Sequence, residues 1–309
     1  MADPKSIDGV LVQWGDRLFY PRNRIVKSGQ PPKLVANLMR QRANAIRARI
    51  EATVVRRAPQ VMVKVTGGGR GMKAIATHFK YISKNGRLDI EDDRGEVLRG
   101  KEDLKGLSDD WRLGGTPIED VGFRREAFNI MLSMPRGVDA LYVQKAAREF
   151  AHAELADHKY VMVLHDHQAN PHVHLSVRAE SRNGHRLNPR KADLRRWRET
   201  FAEKLRGLGI EAESSSRLVR GQGRSSEPLW RIKAREDRRL QRGTLRAPSS
   251  ATIKSATISE AWKRVAGALS ASDQPTDRKL GAAIGAFGRP VEERTQMTRV
   301  PSRQPDVGR

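Results

Sequence analysis

The sequence predicts an α+β fold, a mostly antiparallel central sheet flanked by helices. Three observations carry this. Stretches of alternating apolar residues, the period of a half-buried strand, interleave with stretches of helical period between residues 59 and 210. Their order is strand, helix, hairpin, strand, helix, strand, strand, helix, which mixes hairpins with helices as α+β domains do. Finally, six residues, His167–His172, join two of the strands, a link that suits a tight hairpin.

The elements follow in chain order. Residues 1–58 read as an N-terminal extension. In it "DGVLVQWGDRLFY" is expected to form a short hairpin, and "PPKLVANLMRQRANAIRARIEATVVRR" a helix with Leu34, Leu38, Ala45, Ile46 and Ile50 near one face and arginine crowding the other. That basic face suits solvent or DNA equally well.

The core begins at "QVMVKVTGGG", where Val61, Val63 and Val65 alternate with Met62 and Lys64. After the break at "TGGGRG", "MKAIATHFKYISKN" puts Ile75, Phe79 and Ile82 on one helical face, with Gly86 placed as a C-cap glycine. "GRLDIEDDRGEVLRG" reads as a hairpin turning at Asp92–Gly95. "AFNIMLSMP" is a strand, "GVDALYVQKAAREFAHAELA" an amphipathic helix, and "KYVMVLHDH" and "NPHVHLSVRAE" are two further strands. "LNPRKADLRRWRETFAEKLRGLG" is a helix, with Asn188 as its cap, Pro189 at its first position and Gly209 at its end. Residues 211–309 read as a basic linker, short helices at "LWRIKAREDRRLQRG" and "SEAWKRVAGALS", and a tail that is mostly disordered from 248 onward.

Lys and Arg number 59 against 36 Asp and Glu, a formal charge of +23 over 309 residues. A balance this basic points to a polyanion, most often nucleic acid. The chain has no cysteine, which excludes disulfides, thiolate metal sites and a cysteine nucleophile. "MADPKSIDGV" lacks the build of a signal peptide, and no apolar run is long enough to span a bilayer. The expectation is a cytoplasmic protein without membrane insertion.

Four of the eight histidines fall in "HDHQANPHVH", residues 165–174. Residues two apart on a strand share a face, so His172 and His174 project together. Across the hairpin His165 faces the same pair. Three converging imidazoles suit a divalent metal acting as a Lewis acid. Ligand preference favours Zn2+, Mn2+ or Ni2+, whereas phosphate chemistry in cells favours Mg2+ or Mn2+, although Mg2+ prefers oxygen. Asp166 points away by parity, and His167 shares the face of His165.

A metal beside a basic surface suggests phosphodiester chemistry. Of the four tyrosines, Tyr81 lies on the helix after the glycine-rich turn. "TGGGRG" lacks the Gly-Lys-Ser/Thr ending of a nucleotide-binding P-loop; its small residues are expected to let a DNA backbone approach, with Arg70 and Lys73 adding charge. A basic tract follows the last strand, in which Arg178, Arg186, Arg190 and Lys191 are candidate DNA contacts. Trp197, within it, is expected in the core.

Three stretches, "VKVTGGGRGMKAIATHFKYISKNGRLDIEDDRGE", "FNIMLSMPRGVDALYVQKAAREFAHAEL" and "YVMVLHDHQANPHVHLSVRAE", together resemble the relaxase/mobilisation nuclease family. These are HUH endonucleases of conjugative and mobilisable plasmids, including the border endonuclease of T-DNA transfer. The resemblance covers about residues 60–210 in the family's order. It implies a palm-like nuclease domain over 59–210 and strand-specific nicking at an origin of transfer. It also implies attack by a tyrosine hydroxyl, a 5′-phosphotyrosine with a free 3′-OH, and religation by the reverse reaction. Carried over by motif, Tyr81 is the nucleophile, and His165, His172 and His174 bind the metal, with Mg2+ or Mn2+ ahead of Zn2+. Many relatives carry an Asp two places after the first histidine, where this chain has His167. Either His167 takes the tyrosine proton, or the metal alone lowers the tyrosine pKa. The implied partners are single-stranded or melted origin DNA, relaxosome accessory proteins and a type IV coupling protein. Two other readings stand beside it: a metal-dependent phosphodiesterase with a water nucleophile, and a non-catalytic DNA-binding accessory protein.

Overall fold

The computed structural model describes residues 6–20, 36–220 and 250–287. It falls into two compact units, one of Ala58–Ser214 and one built from the segments on either side.

The first unit is an α+β domain. Its six-stranded sheet is antiparallel throughout, in the order β1-β4-β6-β5-β2-β3. The strands are β1 (Met62–Gly67), β2 (Ile90–Asp92), β3 (Val97–Leu98), β4 (Ala127–Ser133), β5 (His158–His165) and β6 (His172–Ser181). The hairpin of β2 and β3 turns where expected, held by Asp92, whose carboxylate accepts from the amides of Arg94 and Glu96 at 2.9 Å each.

Helices cover both faces of the sheet. Against one face lie α6 (Ala140–Glu154) and α7 (Lys191–Gly207), enclosing Ile130, Leu132, Val173, Leu175, Val177 and Phe150. Against the other lie α4 (Met72–Ile82) and α5 (Gly100–Leu113), enclosing Ile75, Phe79, Leu104, Trp111, Val161 and Val163. Phe79 and Trp111 meet edge to face at 4.9 Å. Trp197 is 1 % exposed and packs on Phe150, so it belongs to the core as expected.

The helix α5 is an addition to the elements expected from the sequence. Its period is plain in the fold, with Leu104, Leu107 and Trp111 all buried, but glycines at 100, 106, 114 and 115 frame it as loop. The N-terminus of α7 also differs. Arg190 is the cap, and its amide donates to Asp193 at 2.9 Å, so Asn188 and Pro189 precede the helix. A carboxylate at the third helical position holds the start better than the Asn-Pro pair.

The second unit is helical. "DGVLVQWGDRLFY" is not a hairpin: α1 (Ile7–Val10), a π-helical turn (Leu11–Gly15) and α2 (Asp16–Phe19) run on continuously. Ser6 caps this helix, accepting from the Gly9 amide at 3.1 Å. Gly15, a turn residue by type, is the point of closest approach to α3 (Ala36–Ile50): a Cβ there would lie 2.5 Å from Ile46. Ile46 and Ile50 are buried as expected, whereas Leu38 and Ala45 are exposed, and Leu34 lies outside the described residues.

The arginines of α3 serve the fold. Arg47 pairs with Asp8 at 2.8 Å and Asp277 at 2.9 Å, and Arg42 and Arg49 sit over the rings of Tyr20 and Phe19. Helices α8 (Ser250–Ser270) and α9 (Pro275–Phe287) occupy part of the expected tail and bury Val265, Leu269 and Ile284 in the same core. The segment "LWRIKAREDRRLQRG" lies outside the described residues. Among the described residues no helix is long and apolar enough to cross a membrane.

Candidate active site

The β5–β6 hairpin builds the centre of the site. His165 stands directly opposite His172 in register, and His174 opposite Val163. Because side chains alternate along a strand, all three imidazoles emerge on the sheet face that carries α4 and α5, away from Val173 and Leu175. The ring centroids of His165, His172 and His174 lie 4.6–5.0 Å apart. One nitrogen from each comes within 4.8 Å of the others, a spacing that one divalent ion can bridge with modest adjustment.

The remaining nitrogens orient the rings. His165 Nε2 hydrogen-bonds to the Ile82 carbonyl at 2.7 Å, and His172 Nδ1 to the Asn170 carbonyl at 2.9 Å. Metal-binding histidines use their second nitrogen in this way, which fixes ring and tautomer. The free nitrogens of these two rings are therefore His165 Nδ1 and His172 Nε2. Burial holds the His165 and His174 imidazoles below their usual pKa, His174 down to about 4 with the neighbouring histidines adding to the effect. Both are neutral at pH 7, the form in which imidazole is a ligand. The donor set thus fits a metal.

Helix α4 supplies the nucleophile candidate. Tyr81 is 71 % exposed, open to a large substrate, although Phe79 and Ile82 beside it are fully buried. Its neighbour Ile82 is the residue whose carbonyl holds His165, so the helix end that carries Tyr81 is tied to the triad. His78, one turn earlier, is a residue that the sequence motifs do not single out. Its ring stacks on Tyr81 (6.2 Å, 28°) and meets His174 edge-on at 6.5 Å. The signal for it is its spacing, since residues three apart share a helix face. His167 is exposed at the end of the hairpin, its ring 5.2 Å from His165. Asp166 is exposed and outside the triad.

The glycine loop packs against its own chain. A Cβ at Gly68 would fall 2.2 Å from the Ala127 carbonyl, and one at Gly71 2.5 Å from that of Asp120. Close packing of the loop, rather than approach by DNA, accounts for these two glycines. Arg70 and Lys73 are exposed beside it and, with Ala74, Thr77, Val121 and Gly122, line an open groove of about 380 Å³. Thr77, at the edge of this groove, lies one turn before Tyr81 on the same helix.

The later basic residues divide. Arg190 and Lys191 are exposed. Arg186 is held by Glu180 at 3.1 Å and Glu126 at 3.2 Å. Arg178 is 4 % exposed, and its guanidinium donates to the carbonyls of Trp111 and Gly114 at 2.8 Å each and to that of Thr116.

Residues 102–210 match the family model described as relaxase, MobA/VirD2-like, nuclease domain. No curated protein matches the chain. The matched segment contains β4, β5, β6, α6, α7 and all three histidines of the triad, and begins after α4. Over these residues the chain is similar to the nuclease domain of MobA/VirD2-like relaxases.

Proposed function

We propose that the protein is a plasmid DNA relaxase that nicks one strand at an origin of transfer by tyrosine transesterification. One observation carries this: α4 presents an exposed tyrosine from the same helix end whose Ile82 carbonyl orients a triad histidine. A hydrolase with a water nucleophile has no need of that coupling.

In this reading the Tyr81 hydroxyl attacks the scissile phosphate. The bond from phosphorus to the 3′ oxygen breaks as the tyrosine–phosphorus bond forms, leaving a 5′-phosphotyrosine and a free 3′-OH. Reversal rejoins the strand, because the ester linkage is conserved in the adduct. Tyrosine ionises near ~10 in water, so its proton needs an acceptor. His167, exposed in the same cluster, is the candidate. His165, His172 and His174 hold a divalent ion, Mn2+ or Mg2+ ahead of Zn2+. Such an ion supplies charge stabilisation to the phosphoryl oxygens. Arg70, Lys73, Arg190 and Lys191 contact the DNA backbone. Arg178 and Arg186, engaged with the protein, contribute to the shape of the domain that binds it. The surrounding machinery is an accessory relaxosome and a type IV coupling protein, and the compartment is the cytoplasm.

The test is a labelled single-stranded oligonucleotide carrying a candidate origin, with Mn2+ present. The parent protein should yield a nicked product and a covalent protein–DNA band. Tyr81→Phe should yield neither while melting as the parent does, since the side chain is largely exposed. Nicking without an adduct, retained in Tyr81→Phe, would establish the water-nucleophile hydrolase instead. Binding without nicking in either protein would leave the accessory-protein reading.

A further inference from the structure

We propose that His78 is a positioning residue whose Nε2 accepts a hydrogen bond from Nδ1–H of His174 while its ring face supports Tyr81, so that nucleophile and metal triad are set by one side chain. The inference rests on the metal-centre reading above and adds a residue to it.

Three observations meet here. First, the triad has a gap in its supporting hydrogen bonds. His165 and His172 each bond a backbone carbonyl through the nitrogen turned away from the triad, whereas His174 Nδ1 is buried with no partner. Second, His78 Nε2 is likewise buried with no partner, and these are the two imidazole nitrogens in that condition among the described residues. Their rings lie 6.5 Å apart at 75°. A polar atom buried without a partner is destabilising, and these two would satisfy one another if the rings closed the gap of an ångström or so between their nitrogens. Third, the opposite contact of His78 is the near-parallel stack on Tyr81.

The chemistry of the pair is complementary. A ligand histidine bound through Nε2 carries its proton on Nδ1 and needs an acceptor there. Among the described residues no carboxylate belongs to the triad cluster, so the residue orienting His174 is an imidazole where many metal sites use an acid. Helix α4 then orients two of the three ligands, His165 through the Ile82 carbonyl and His174 through His78, and bears the nucleophile between them.

The experiment is Mn2+ binding to the full chain by calorimetry and electron paramagnetic resonance, alongside nicking kinetics. His78→Phe keeps a flat ring for Tyr81 and removes the acceptor. It should weaken Mn2+ binding about 10-fold or more, the usual cost of losing such a partner, with the melting temperature near that of the parent. His78→Gln, whose amide oxygen can accept, should recover part of that affinity. At saturating Mn2+, His78→Phe should nick faster than His78→Ala, because the ring support is retained. His174→Ala is the control. If it loses Mn2+ binding while His78→Phe binds as the parent does, the inference is overturned and the metal centre stands. If His174→Ala also binds as the parent does, the metal centre itself is wrong and the inference falls with it.

Discussion

The two faces of the β5–β6 hairpin differ in nearly everything except their backbone. One face carries Tyr160, Met162, Val173, Leu175 and Val177, all in the core under α6 and α7. The other carries Val161 and Val163, then His165, His172, His174, Ser176 and Arg178 under α4 and α5. The pleat separates them by parity alone. One pair of strands therefore holds the domain together and positions the site, and neighbouring residues serve different ends. Within the second face a further division runs along β6: His172 and His174, at its start, converge on the candidate metal position, while Arg178, near its far end, anchors the loop after α5.

The sharpest way to break this comparison is a cavity on the apolar face. Leu175 is fully buried, and Leu175→Ala should destabilise the domain by about 2–5 kcal/mol, read from the denaturant midpoint. Its folded fraction should still bind Mn2+ with the parent's affinity. A loss of Mn2+ affinity below the unfolding transition would show that the two faces are coupled.

Next in size is Arg178→Met. Met fills much of the space but leaves the carbonyls of Trp111, Gly114 and Thr116 without their donor, at a cost of about 1–3 kcal/mol. Because the guanidinium is buried, the salt dependence of DNA binding should not move. A shallower salt slope with unchanged stability would place Arg178 on the DNA and overturn its role as an anchor.

How far the sequence exposes this arrangement depends on how local each signal is. The strands of the sheet's centre and the triad are legible because period-two alternation and the H-x-H spacing act within a few residues. The order of the strands across the sheet is not local, and neither are the partners of the histidines. The Ile82 carbonyl lies 83 positions from His165 and leaves no mark of residue type, since every residue has a carbonyl. His78 is visible only as helix periodicity until α4 has a place on the sheet. Arg178 reads as basic surface in the sequence, because charge says nothing about burial until Trp111 and Gly114 are seen to fold over it. The helix of residues 7–19 is masked for a related reason: Gly15 suggests a turn, and only the nearness of Ile46 shows that it is a packing contact.

The smallest effect tests whether exposed charge, unlike buried charge, belongs to the DNA. Arg70 and Lys73 flank the groove beside α4, whose lining reaches Thr77, one turn before Tyr81, and neither is buried. Arg70→Ala with Lys73→Ala should leave stability within about 0.5 kcal/mol of the parent, as surface substitutions do. The plot of log affinity for a single-stranded oligonucleotide against log salt should become shallower by about 0.7 for each phosphate no longer neutralised, or roughly 1.4 for the pair. The paired change Arg190→Ala with Lys191→Ala, at the start of α7, measures whether the path continues to that helix. A slope altered by the second pair and not the first would route the strand past α7 and away from the groove. A slope altered by neither would mean that the +23 charge of the chain acts through residues other than these four.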